Sequence, residues 1–163
     1  MSSKEMIVRE ASEGERRWFA GGGLHVWKLT AEETGGDFFM FEDYVQGGKV
    51  TPLHRHPGIA ETIYLLEGSI SVYVDGAERE VGAGGVVMFP AGEAHAFRVT
   101  SAHARLLCLQ TPGRGQAFYL DASEPSTADD GPVDFARLRA VAERHDDNIE
   151  ILGPPPFRRE AGS

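Results

Sequence analysis

His54-Arg55-His56-Pro57-Gly58-Ile59-Ala60-Glu61 and, further along, Pro90-Ala91-Gly92-Glu93-Ala94-His95 offer three imidazoles and one carboxylate within short β-rich runs. On an extended strand successive side chains point to opposite faces, so His54 and His56 share a face and Arg55 points away. The odd offset from His56 to Glu61 would put the carboxylate on the wrong face of a straight strand. Pro57-Gly58 lies between them, and a turn or bulge there resets the parity. Neutral imidazole suits first-row transition metals, and nitrogen donors completed by one carboxylate, with room for water or substrate, suit non-haem oxygen chemistry.

Outward from these segments, Leu24 to Leu120 reads as short strands with no helical period among them. Candidate strands are Leu24 to Leu29, Phe38 to Val45, Thr62 to Leu66, Ser69 to Val74, Val86 to Phe89, His95 to Val99, Arg105 to Gln110 and Gln116 to Leu120. Gly35-Gly36, Gly47-Gly48, Glu67-Gly68, Gly84-Gly85 and Pro112-Gly113 punctuate them, and Asp75-Gly76 signals a type I′ hairpin. Many short antiparallel strands in one domain predict a sandwich or jelly-roll barrel.

The 163 residues are expected to form a single domain over 1–163, with a barrel core at about 18–120, a loop over 121–132 and a helix and tail over 133–163. Residues 1–17 are polar and show no clear period, and Trp18-Phe19 marks where the chain first packs. Asp134 can cap a helix from Phe135 to about His145, whose Phe135, Leu138, Val141 and Ala142 form one apolar stripe. That stripe is expected to dock on the barrel wall rather than bind a partner. Pro154-Pro155-Pro156 imposes an extended segment, read as a C-terminal strap rather than an SH3-type ligand. A net charge of -9 and a pI near 5.1 with no basic cluster argue against nucleic acid as a partner. No apolar run approaches a signal peptide or a membrane span, so a cytoplasmic location with no membrane partner is the expectation. Cys108 sits in an apolar run and reads as a small core residue, and His25, His103 and His145 read as structural or solvated.

The spacing Gly48-x5-His54-x-His56-x4-Glu61-x6-Gly68, then Gly84-x5-Pro90-x-Gly92-x2-His95, resembles the two signature motifs of the cupin superfamily. One position departs: Val99 stands where the second motif usually ends in Asn, a supporting residue rather than a ligand. From Trp18 to Phe157 the chain further resembles the single-domain, quercetin 2,3-dioxygenase-like cupins of bacteria. Trp18-Phe19, Thr34-Gly35-Gly36, Tyr64-Leu65-Leu66-Glu67-Gly68, Thr111-Pro112-Gly113 with Phe118, and Glu150-Ile151-Leu152-Gly153-Pro154-Pro155-Pro156 carry this second resemblance.

The resemblance implies an all-β jelly-roll barrel with a short C-terminal α-helix and an extended Pro-rich tail. It also implies one divalent transition metal (Fe, Mn, Ni, Co, Cu or Zn) held by His54, His56, Glu61 and His95, and a homodimer. The implied activity is that of a metal-dependent dioxygenase cleaving a flavonol or related aromatic enol with O2, Glu61 taking the enol proton. The alternatives are a metal-dependent isomerase, cyclase or lyase, and a non-catalytic small-molecule-binding cupin. Strand parity turns Ile63, Leu65, Phe97 and Val99 toward the barrel interior as pocket candidates, joined by Phe39, Phe41, Met88 and Phe118. The same parity turns Arg55 and Arg98 outward.

Overall fold

The computed structural model describes residues 5–126 and 131–158. Its elements run β1 (Glu15–Phe19), β2 (Leu24–Leu29), β3 (Phe39–Gln46), β4 (Leu53–Arg55), β5 (Ala60–Glu67), β6 (Ser69–Val74), β7 (Ala77–Gly82), β8 (Val86–Phe89), β9 (Ala96–Val99), β10 (His103–Thr111), α1 (Gln116–Asp121), β11 (Ser123–Pro125), α2 (Phe135–Arg144) and β12 (Glu150–Gly153). One wall is an antiparallel sheet ordered β11-β1-β2-β3-β10-β5-β8. The other combines β7-β6-β9 with the pair β12-β4, joined by the antiparallel bridges Val50↔Arg98 and His54↔His95. Two facing antiparallel sheets closed over one apolar core make the expected jelly roll.

Alternation sets what each strand buries. In β3, Phe39, Phe41, Asp43 and Val45 are buried while the residues between them are less so, and in β5 the buried set is Glu61, Ile63 and Leu65. The inward facing of Glu61 depends on the turn before β5. Ile59 donates its N–H to the His56 carbonyl, and Gly58 sits at φ +67, a backbone region that costs other L-residues. The chain thereby leaves the β4 wall and enters the other sheet with its parity reset, as the Pro57-Gly58 punctuation predicts. At the β6–β7 hairpin, Asp75 (φ 51) and Gly76 (φ 77) both take the left-handed conformation that a type I′ turn requires.

Several elements differ from expectation. Residues 116–120, expected as a strand, form the helix α1: they pack Phe118 and Tyr119 into the core as one turn beside Phe19, and a short apolar run does not by its period distinguish helix from strand. Ser123–Pro125, expected within a loop, is β11, paired with the equally unanticipated β1. Residues 127–130 of that expected loop lie outside the described residues. The hairpin strand β7 was hidden because Ala77-Glu78-Arg79-Glu80 is polar and exposed throughout. The helix α2 begins as expected, with the Asp134 carboxylate accepting the Arg137 N–H, and buries Leu138, Val141 and Ala142, while Phe135 stays exposed. Just ahead of the Pro-rich segment expected as a strap, Glu150–Gly153 forms β12, which pairs antiparallel with β4.

Candidate metal centre

The four residues of the two motifs converge. His54 and His95 are neighbours in the second wall, exchanging backbone bonds of 3.1 Å (His54 N–H to His95 carbonyl) and 2.9 Å (His95 N–H to His54 carbonyl), which puts both rings on one face. His56 follows β4, its carbonyl receiving the Gly92 N–H, so the Pro90-Ala91-Gly92 turn is tied to the first motif. Glu61 enters from β5, opposite Gln110 of β10 and Phe89 of β8. All four are buried, and one ligand atom from each lies within 4.8 Å of all the others. Donors bonded at about 2.0 to 2.2 Å to one ion lie roughly 3 to 4.4 Å apart, so the cluster is close to the size a shared ion imposes.

The hydrogen bonds behind the rings decide which nitrogen faces the centre. Nδ1 of His54 lies 2.8 Å from the Pro52 carbonyl, Nδ1 of His56 3.0 Å from that of Asn148, and Nδ1 of His95 2.8 Å from that of Glu93. A carbonyl only accepts, so each Nδ1 donates to it and Nε2 is the nitrogen turned toward the centre, the arrangement that second-sphere partners impose on ligating histidines. Burial, with the neighbouring charges of His95 and His56, lowers His54 to about 3, so this imidazole is neutral. Burial alone would raise Glu61; the charges and hydrogen bonds of His56 and His95 together outweigh it and hold the carboxyl well below the usual range. Glu61 Oε2 stands 2.9 Å from His56 Nε2 and 3.1 Å from His95 Nε2. Electron-pair donors so close repel unless a cation lies among them, and three imidazoles with one carboxylate are a donor set for a divalent first-row ion. The residues fit the metal that the resemblance implies.

Beside the cluster lies an apolar cavity of about 60 Å³, with His54 and Glu61 in one part of its wall. Of the residues expected to line a pocket, Phe41, Phe97 and Phe118 do so. Ile63, Leu65, Phe39 and Val99 are buried in the surrounding core instead. Met88 is a correction: Phe89, opposite Glu61, takes the inward position on β8, so its neighbour Met88 points out and is 56% exposed. Arg55 and Arg98 face outward as parity predicts, pairing with Glu150 and Glu78.

The lining also holds groups that the sequence reading missed. His25 is stacked between Phe19 and Phe41, Asp43 pairs with Lys49, and Tyr119 reaches in from α1. The signal for Asp43 was present in the alternation of Phe39, Phe41, Asp43 and Val45; that for Tyr119 was obscured by reading α1 as a strand. The Nε2 amide of Gln110 donates to the Tyr119 hydroxyl at 3.0 Å and lies 3.4 Å from His56 Nε2. Burial raises the Tyr119 phenol well above its usual value, with Glu61 adding to the effect, so it remains a hydrogen-bond donor. Cys108 is raised likewise by burial and then by Asp43 and Glu61, which makes it an inert thiol.

A family model described as a cupin domain matches residues 40–110, a span that contains all four ligand candidates. The chain is 28% identical over 145 residues to quercetin 2,3-dioxygenase of Bacillus subtilis (strain 168), covering 89% of this chain and 42% of that protein. It thus spans about two fifths of the relative's length. Among solved structures, a predicted oxalate decarboxylase from Thermotoga maritima superposes with a TM-score of 0.58 at 23% identity, covering 66% of this chain and 99% of that one. Ectoine synthase from P. lautus gives 0.59 at 18% identity, covering 77% and 94%. At such identities these two structures speak for the fold alone.

Proposed function

The chain is a cupin-superfamily protein of the quercetinase-like type, and on that premise we propose that it is a metal-dependent dioxygenase acting on a compact aromatic enol. One observation supports the reading above others: three Nε2 atoms and a carboxylate, each backed by its own strand or carbonyl, converge beside an apolar cavity. A pure binder has no need of such a set, whereas oxygen chemistry needs a held ion with an apolar, water-poor approach.

His54, His56, Glu61 and His95 would hold the ion, which supplies Lewis acidity and access to redox chemistry with O2. Glu61 takes the enol proton, its carboxylate lying at the cavity wall and kept ionised by His56 and His95. Phe41, Phe97 and Phe118 pack the faces of a flat substrate and exclude water. The cavity sets the scale of that substrate. Pockets that enclose drug-sized ligands typically run to about 300 Å³ or more, so a tricyclic flavonol exceeds the present 60 Å³ and a single ring is the larger limit.

The test is oxygen uptake by metal-reconstituted protein over hydroxypyranones, catechols and flavonols, each repeated without oxygen. The proposal requires a substrate whose turnover consumes O2 and stops under anaerobic conditions. Turnover that continues without oxygen would instead identify an isomerase, cyclase or lyase.

A further inference from the structure

His25, Asp43 and Lys49 are titratable, lie in the barrel interior with 1%, 3% and 9% of their surfaces exposed, and take no part in the ligand cluster. All three line the same cavity as His54 and Glu61. Lys49 Nζ lies 3.1 Å from Asp43 Oδ2, and His25 Nε2 lies 3.5 Å from Asp43 Oδ1. The ammonium sits over two aromatic faces, 5.7 Å from the Phe19 centroid and 5.4 Å from that of Phe97.

A lysine beside the Gly47-Gly48 turn could run its flexible stem out to solvent; this one turns inward. Burying an ion pair costs desolvation that apolar residues of similar volume would avoid, so the pair is a poor choice for stability alone. An ammonium has three N–H donors. Among the described residues, its one hydrogen bond is to Asp43 Oδ2. The aromatic faces stabilise the charge but accept no conventional hydrogen bond, which leaves donors in the cavity wall for an incoming acceptor.

The position of Lys49 relative to the ligands indicates what that acceptor belongs to. Phe97, beneath the ammonium, stands two residues beyond His95, on the same side of its strand and about 6.6 Å along it. That separation matches the width of one six-membered ring. We propose that Lys49, held by Asp43, is a substrate-recognition residue that pairs with a carboxylate carried on the far side of a single-ring enol from its metal-binding edge. A carboxylate is ionised at neutral pH and brings its charge without the cost of deprotonating a phenol. The substrate class is therefore a monocyclic enol acid; this rests on the metal-centred reading above and narrows it.

The test is equilibrium binding, without oxygen and without turnover, to protein loaded with one divalent ion. Comenic acid carries a hydroxyketone edge and a carboxylate across one pyranone ring; kojic acid has the same ring with a neutral hydroxymethyl group in the carboxylate's place. Wild type should bind comenate at least about tenfold more tightly than kojic acid, as expected for a charge-assisted bond in a buried site. Lys49→Met leaves Asp43 as a lone buried charge and can unfold the barrel, so the decisive variant is Asp43→Asn/Lys49→Met, which removes both charges. That double variant should keep its metal and its kojic acid affinity and lose the comenate preference. Equal affinities in wild type, or an undiminished preference in the double variant, overturns the proposal. A comenate preference that depends on Lys49, in a protein that consumes no oxygen with any substrate, leaves this site standing and removes the dioxygenase reading.

Discussion

Each ligand histidine is oriented by a carbonyl contributed from a different place: Pro52 just before β4, Glu93 in the turn before β9, and Asn148 after α2. The centre is thus preset by backbone rather than by other side chains, which is why removing one imidazole should empty the site without collapsing the barrel. Glu61 has two roles, donor and base, and they separate by substitution. In Glu61→Gln the amide remains a weak ligand but accepts no proton, so turnover should fall by about 10² to 10⁴ while the protein retains more metal than any His→Ala variant. Steady-state kinetics beside metal analysis of the same samples checks this. Undiminished turnover with an identified substrate would reduce Glu61 to a bystander.

At the scale of elements, the parity of β4 and β5 was legible because Pro57-Gly58 breaks an otherwise regular alternation, and the buried set Glu61, Ile63 and Leu65 follows from it. The inner cavity was less legible. Which side of β3 and β10 faces inward depends on pairing between residues far apart in sequence, and Met88 was misassigned because four consecutive apolar residues, Val86 to Phe89, present no polar mark of an outer face. Lys49 and Asp43 carry no motif at all, only positions that the closed barrel turns inward. The cap and the Leu138, Val141 and Ala142 stripe of α2 were legible because they are local signals, while Phe135, expected on the same stripe, lies exposed in the first turn. Leu138 joins α2 to the cavity wall, and Leu138→Ala should cost about 2 to 5 kcal/mol, read as a lower denaturant midpoint at unchanged slope. A loss below about 1 kcal/mol would mean that α2 is not packed against the barrel as described.

For the whole molecule, the buried imidazoles link stability to pH. His54 is lowered to about 3, and His25 well below its ordinary 6.5, by burial first and then by the charges of Lys49 and Arg17. The unfolded chain takes up protons as pH falls through 6.5 while the folded chain does not, so these groups stabilise the fold fully above 6.5 and lose that contribution as pH falls toward 3. Glu61, lowered below its ordinary 4.5, acts in the same direction at lower pH. Chelator-treated protein should therefore unfold at lower denaturant concentration at about pH 5.5 than at about pH 7.5, and a midpoint that held or rose would show the imidazoles to be accessible to protons. Metal binding should add stability on top of this, since the ion binds only the folded site. The most direct measurement is elemental analysis of reconstituted, desalted wild type beside His54→Ala, His56→Ala and His95→Ala. The site predicts about one divalent ion per wild-type chain and loss of most of it in each variant, with all four proteins folded; metal content equal to wild type in all three variants would contradict it.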